Sequence, residues 1–197
     1  MTIPRSVPPH TPVYVHHGCL DTGTCGTVRA AMNSAPQAPA EIFRGDYRVD
    51  ETIRRSNEVD ADPRTLEMVQ QAIAVLQGTL SQYFGMPLAG FEGVGLLRYH
   101  AGGFYRAHRD VLPEAAGFAT RRLSLVLFLT GSASDESSAG DSRCVGGALR
   151  VFTDEAGEVY VDVAPRTGTL VAFPATLLHE VRPVVAGVRD VAVDWAV

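Results

Sequence analysis

His108-Arg109-Asp110 places two side chains that ligate divalent metals at positions i and i+2. On a strand those positions point to one face, so a single ion can meet both. A third group of the same kind, His179, lies in Leu177-Leu178-His179-Glu180-Val181, where Leu177 and Val181 share its face. A histidine on an apolar face is either a core residue with its hydrogen bonds met or a missing ligand. Two histidines and one carboxylate on one side of an ion leave three coordination positions open. Zinc more often closes a tetrahedron, so an open O,N,N set favours Fe(II).

Arg189 is the fourth piece. The last segment reads Arg189-Asp190-Val191-Ala192-Val193-Asp194-Trp195, so residues 189, 191, 193 and 195 share a strand face. Three of those four are large and apolar. An arginine on a buried face is costly unless an anion meets it. Either Arg189, at the start of the strand, reaches solvent, or a bound carboxylate meets the guanidinium in a two-pronged fashion.

The elements that must position these groups follow from periodicity. From residue 93 onward, short β-rich runs succeed one another at 94–99, 123–130, 148–152, 159–163, 169–173, 177–185 and 189–197, separated by Gly, Pro and polar turns. Many short strands at this spacing predict an all-β sandwich or barrel. The preceding part is a support. Val28, Ala31 and Met32 share one face of a short helix over 21–33. Asp62-Pro63 is a capping residue followed by Pro at the first helical position. Leu66, Val69, Ile73, Leu76, Leu80 and Phe84 then recur at steps of three or four until Gly85, which predicts one helix with a strongly apolar face. Residues 1–13 read as a loose lead-in and 131–142, small, polar and acidic, as a mobile loop. The expectation is one domain over 1–197, with support in 1–92 and a β core in 93–197.

The chain has 197 residues and a net charge of −5, with no long run of basic residues. A nucleic-acid binder needs a basic stripe to neutralise phosphates, so DNA and RNA are disfavoured as partners. Cys19, Cys25 and Cys144 have no paired spacing and read as incidental thiols. The first residues lack the apolar run of an export signal, and the longest apolar runs, such as 125–129, are too short for a membrane. A cytoplasmic location is expected; the oligomeric state is left open.

Several motifs resemble a known family. Tyr99-x-x-Gly102-x-x-Tyr105-x-x-His108-x-Asp110 is similar to the metal-binding segment of prolyl 4-hydroxylases, which are Fe(II)- and 2-oxoglutarate-dependent dioxygenases. Gly146-Gly147-Ala148-Leu149-Arg150-Val151-Phe152 resembles the Gly-Gly strand of that group, above all its hypoxia-sensing branch. Leu178-His179-Glu180-Val181-Arg182-Pro183-Val184 resembles the distal-histidine strand. Gly187-x-Arg189, ten residues past His179, sits where the family keeps its cosubstrate-binding Arg or Lys, and Trp195 also matches.

The resemblance implies a double-stranded β-helix, a jelly-roll with helices packed on one side, mainly β with supporting helices in an α+β arrangement. It implies His108, Asp110 and His179 as iron ligands, 2-oxoglutarate and O2 as cosubstrates, and ascorbate as a reductant. Arg189 then binds the far carboxylate of 2-oxoglutarate, and Tyr99 lines the same pocket. Phe128 and Val193 stand where relatives carry a tyrosine and a threonine in that pocket, and Ser124, on the Phe128 face, is the expected compensation. Related halogenases replace the carboxylate ligand with a small residue, so Asp110 points to hydroxylation. The implied activity is hydroxylation of a prolyl residue or an amino-acid-type substrate, with release of succinate and CO2. Arg54 and Arg55 are expected substrate contacts because the segment from Phe43 to Ser56 is arginine-rich against an acidic background, with a solvated surface strand as the alternative, and Tyr105 is expected to join them. Two other readings remain. One is a non-catalytic jelly-roll that binds a metal or ligand. The other is a nucleic-acid demethylase, disfavoured because residues 191–197 lack the extra arginine of that group.

Overall fold

The computed structural model describes residues 12–43, 45–111, 120–135 and 143–197. A short strand β1 (Tyr14–His16) precedes α1 (Thr22–Ser34). Next come β2 (Gln37–Pro39), β3 (Ile42–Phe43), β4 (Tyr47–Arg48), β5 (Arg54–Arg55) and β6 (Asn57–Val59), then α2 (Pro63–Ala74) and α3 (Gln77–Phe84). The rest is β7 (Gly95–Tyr99), β8 (Phe104–His108), β9 (Leu123–Phe128), β10 (Gly131–Ser132), β11 (Arg143–Gly146) and β12 (Leu149–Phe152). It continues with β13 (Tyr160–Val163), β14 (Leu170–Pro174), β15 (His179–Val181), β16 (Val184–Gly187) and β17 (Arg189–Ala196).

Seven strands form a large sheet in the order β1-β14-β9-β17-β7-β6-β2, and five form a smaller one, β13-β12-β15-β8-β5. Strand alternation divides the large sheet into two apolar faces. Leu125 and Leu127 of β9, Leu96 of β7 and Ala192 of β17 pack with Val28 and Met32 of α1, Val69 and Ile73 of α2 and Leu80 of α3. The alternate residues Val126, Phe128, Leu97 and Val191 face Leu149, Val151 and Val181 of the small sheet. Helices therefore cover one side and a second sheet the other, which gives the jelly-roll core its helical backing.

The expected helix starts hold. Asp21 and Asp62 each accept from the backbone N–H and the hydroxyl of the threonine three residues on, with Pro63 opening α2. The single helix expected over 62–84 is two. The Leu76 N–H bonds back to the Ile73 carbonyl, a tightened turn that ends α2 and restarts the chain as α3. Steps of three or four persist across such a turn, so the apolar pattern could not reveal it. The strand expected over 177–185 is likewise two, β15 and β16, in different sheets. Pro183 has no N–H to give a ladder, and the break falls there. Of the loop expected over 131–142, residues 131 and 132 are instead β10, paired in parallel with β11, and the Asp135 carboxylate accepts from the Thr167 N–H. Residues 136–142 lie outside the described residues, as do 1–11 of the lead-in. Among the described residues no helix is long and apolar enough to cross a membrane.

On the helix side of β17, Asp190 is fully buried and binds Arg98 of β7 through two hydrogen bonds of 2.7 and 2.9 Å. Arg29 of α1 reaches the same carboxylate at 3.1 Å, and Asn33 accepts from Arg98 at 2.8 Å. This network locks α1 to the strand that carries Arg189.

Candidate active site

Between the sheets lies a cavity of about 870 Å³. His108, Asp110 and His179 meet in its lining, with one ligand atom from each within 4.8 Å of the others. Register explains the convergence of the histidines, because β15 pairs antiparallel with β8 and sets His179 directly opposite His108. Asp110 is not on the strand with His108 as expected, since β8 ends at His108. The Asp110 N–H bonds instead to the Ala175 carbonyl at 3.1 Å, which turns the carboxylate back to the histidines. Asp110 Oδ1 is 3.4 Å from His108 Nε2, and Oδ2 is 3.5 Å from His179 Nε2.

The protonation of the site follows from its partners. His108 Nδ1 is 2.9 Å from the Arg106 carbonyl, and His179 Nδ1 is 3.0 Å from the Leu177 carbonyl. A carbonyl only accepts, so each Nδ1 carries the proton and each Nε2 offers a lone pair to a metal. Burial lowers the pKa of His179 to about 4, so its imidazole is neutral at neutral pH. Burial also opposes ionisation of Asp110. The neighbouring imidazoles of His179 and His108 and the hydrogen bond from the Ser124 hydroxyl outweigh it and hold the carboxyl well below the usual range. Two imidazole nitrogens and one carboxylate make a donor set that fits Fe(II).

Aromatic rings fix these ligands. Tyr105 stacks on His108 with centroids 3.6 Å apart, and Phe173 meets His179 edge-on at 4.7 Å. Gly102, with φ of 82°, makes the tight turn from β7 into β8 that brings Tyr105 and His108 to the site.

Arg189 does not reach solvent. It is 1% exposed, and its three guanidinium nitrogens are buried with no hydrogen-bond partner among the described residues. The guanidinium lies 4.9 Å from the centroid of the Tyr99 ring and 5.2 Å from that of Phe128, and burial lowers its pKa. A buried cation with unmet donors is costly, and a carboxylate is the ligand that meets them two at a time. Tyr99, which packs against the guanidinium, lines the cavity, and Arg189 lies just outside that lining. Gly147 sits against the other side. A Cβ there would lie 2.8 Å from Arg189 Cδ.

Ser124 is elsewhere than expected. It pairs with Trp195, at the far end of β17 from Arg189, and its hydroxyl donates to Asp110 Oδ2 at 2.6 Å. A strand face alone showed which side of the sheet Ser124 occupies but not how far along it sits. Trp195, matched only as a motif residue, donates its indole N–H to the same oxygen at 2.9 Å. Of the expected substrate contacts, Arg54 and Tyr105 line the cavity. Arg54 binds the Glu41 carbonyl and the Ser56 hydroxyl and lies over the Tyr105 ring. Arg55 does not line the cavity; its side chain is 55% exposed, 3.8 Å from Glu51.

Comparison with known proteins bears on the same stretch. The family model described as the 2OG-Fe(II) oxygenase superfamily matches residues 94–197. A PKHD-type hydroxylase of Stenotrophomonas maltophilia (strain R551-3) is 37% identical over 101 residues, or 50% of this chain and 40% of that protein. One from Synechococcus sp. (strain JA-2-3B'a(2-13)) is 32% identical over 99 residues, 49% and 39% of the two chains. The chain thus matches well under half the length of these relatives. Among solved structures, a Pseudomonas putida prolyl-4-hydroxylase superposes with a TM-score of 0.70 at 24% identity, covering 94% of this chain and 91% of that one. A Trichoplax adhaerens prolyl hydroxylase, solved with a hypoxia-inducible-factor peptide fragment, superposes with a TM-score of 0.73 at 18% identity, covering 94% and 83%. Those likenesses identify the fold as the double-stranded β-helix. With the family model covering more than half of its residues, the chain belongs to the 2OG-Fe(II) oxygenase superfamily, whose members use Fe(II), 2-oxoglutarate and O2.

Proposed function

We propose that this chain is an Fe(II)- and 2-oxoglutarate-dependent hydroxylase acting on a prolyl residue of a peptide, or on a closely related amino-acid-type substrate. The observation that carries the reading is the buried guanidinium of Arg189, with no hydrogen-bond partner among the described residues, just beyond the cavity that holds the histidine–aspartate–histidine cluster. A site that only held a structural metal has no need of a carboxylate receptor.

In this reading His108 Nε2, His179 Nε2 and one Asp110 oxygen hold the iron, and Arg189 takes the far carboxylate of 2-oxoglutarate. Bound iron(II) supplies the activation of O2, coupled to decarboxylation of 2-oxoglutarate into succinate and CO2. The protein's own residues do the positioning. The carbonyls of Arg106 and Leu177 hold both imidazoles in one tautomer, and the apolar walls Leu97, Val126, Leu149 and Val181 keep water from the reacting centre. The cavity is at the upper end of the size range for small-molecule sites and leaves room for a substrate beside the cosubstrate. Phe43 and Tyr47, packed with centroids 5.1 Å apart on the β3–β4 hairpin, line it and offer an apolar, aromatic surface suited to a proline ring. The prolyl hydroxylases among the structural neighbours support the same substrate class. Three free cysteines suit a reducing compartment, in keeping with a cytoplasmic enzyme.

The test is incubation with Fe(II), 2-oxoglutarate and air, against proline-containing peptides and free proline, read by mass spectrometry. The reading expects a peptide to gain one oxygen atom only when 2-oxoglutarate is present. Succinate production with every proline left unmodified would overturn the substrate class and keep the oxygenase.

A further inference from the structure

Asp110 is held by more than the metal would require. Its Oδ2 accepts from the Ser124 hydroxyl at 2.6 Å and from the Trp195 indole N–H at 2.9 Å. A carboxylate oxygen has two lone pairs in the carboxylate plane, and two donors occupy both. His179 Nε2, 3.5 Å from the same oxygen, has no proton to give, because the proton sits on Nδ1. Oδ1 is therefore the oxygen left for a metal.

Trp195 is itself fixed from outside. The Arg121 guanidinium lies 3.6 Å from the centroid of its ring. Arg121 in turn grips Glu92 with hydrogen bonds of 2.8 and 2.7 Å, and the Glu92 N–H donates to the Trp195 carbonyl at 2.9 Å. The stack closes on itself. A cation over the indole face draws electron density from the ring, which makes the N–H a better donor to an anionic acceptor. On the other flank Arg54 lies 4.9 Å from the centroid of Tyr105, which stacks on His108, so a second cation-capped ring faces a second ligand.

We infer that Glu92, Arg121 and Trp195, together with Ser124, form a positioning clamp that makes Asp110 a one-oxygen ligand and so keeps the remaining coordination positions open for the cosubstrate. The inference rests on the metal site proposed above. Without the clamp, Asp110 is free to rotate and bind with both oxygens, which consumes one of those positions and changes the coordination number.

Cobalt(II) is the probe, since its visible bands report coordination number and need no turnover. It is titrated into the wild type and into Trp195→Phe, Arg121→Met, Arg121→Lys and His179→Ala, with the fold of each variant checked by circular dichroism. The clamp predicts that Trp195→Phe binds Co(II) about 10–100-fold more weakly, the usual effect of losing such an outer partner, and with altered visible bands. Arg121→Met shifts affinity and bands in the same direction by a smaller amount, and Arg121→Lys restores part of the loss. Wild-type affinity and bands in both Trp195→Phe and Arg121→Met would overturn the clamp and leave the metal site standing. Should Trp195→Phe not fold, Arg121→Met against Arg121→Lys decides the matter alone. Wild type binding Co(II) no better than His179→Ala would overturn the metal site, and the clamp with it.

Discussion

A guanidinium sealed among Tyr99, Phe128 and Gly147 gives the apoprotein an uncompensated cation. Arg189→Met removes it. The variant is therefore expected to melt at a higher temperature than wild type without ligands, yet to lose all stabilisation by 2-oxoglutarate with Mn(II); differential scanning fluorimetry reads both. Equal apo melting temperatures, or retained 2-oxoglutarate stabilisation, would count against the carboxylate-receptor role. His179 carries a pH signature of its own. Its folded pKa, about 4, lies below the ordinary 6.5, so folding favours the neutral imidazole. That contribution is complete above pH 6.5 and is lost as pH falls from 6.5 towards 4, by about 3 kcal/mol at most. Urea midpoints of the metal-free protein should fall across that window, and more steeply in wild type than in His179→Gln. The residue types of the ligands and of Arg189 were legible in the sequence because each is chemically conspicuous on an otherwise apolar face. The partners of Asp110 were not. Ser124 and Trp195 meet it only through the register of β9 against β17, which no local pattern encodes.

Single elements carry these groups, and their errors are informative. Pro183 splits one expected strand into β15 and β16, so His179 stays with β8 while the chain moves to a different sheet. The tightened turn at Leu76 divides α2 from α3, and Val69 and Ile73 of the one and Leu80 of the other pack into the same core. Both interruptions leave hydrophobic spacing intact, which is why spacing overlooked them. The short strands β1, β2 and β6 were also illegible, because pieces of three residues carry no period of their own. Two element-scale predictions follow from contacts. Gly147, at φ of 68°, leads into β12 and leaves no room for a side chain against Arg189. Gly147→Ala is expected to destabilise by about 1–3 kcal/mol and to weaken 2-oxoglutarate binding, measurable by denaturant unfolding and calorimetry. Asp190→Ala removes the buried carboxylate that Arg98 and Arg29 share between α1 and β17 and is expected to cost about 3–5 kcal/mol in denaturant unfolding. A loss below 1 kcal/mol would mean that the network does not tie the helix to the sheet.

At the scale of the molecule, two apolar layers share one sheet. The layer against the helices is sealed and supplies stability, while the layer between the sheets is left partly open and holds the chemistry. The alternation of β9 and β17 writes both at once. Leu125 and Ala192 face the helices, whereas Ser124, Arg189 and Trp195 face the cavity side. That double duty explains why the strands read as nearly continuous apolar runs, and why those runs pointed to the fold class while the arrangement of two sheets with helices on one side came only from the resemblance. The central claim is that His108, Asp110, His179 and Arg189 form one iron and 2-oxoglutarate site. The most direct test is succinate formation from 2-oxoglutarate by anaerobically purified protein given Fe(II) and then air, comparing wild type with His179→Ala and Arg189→Met. The account predicts succinate from wild type, with at least a 100-fold lower rate in both variants at limiting 2-oxoglutarate. No succinate from wild type, together with no stabilisation by 2-oxoglutarate and metal, would contradict it.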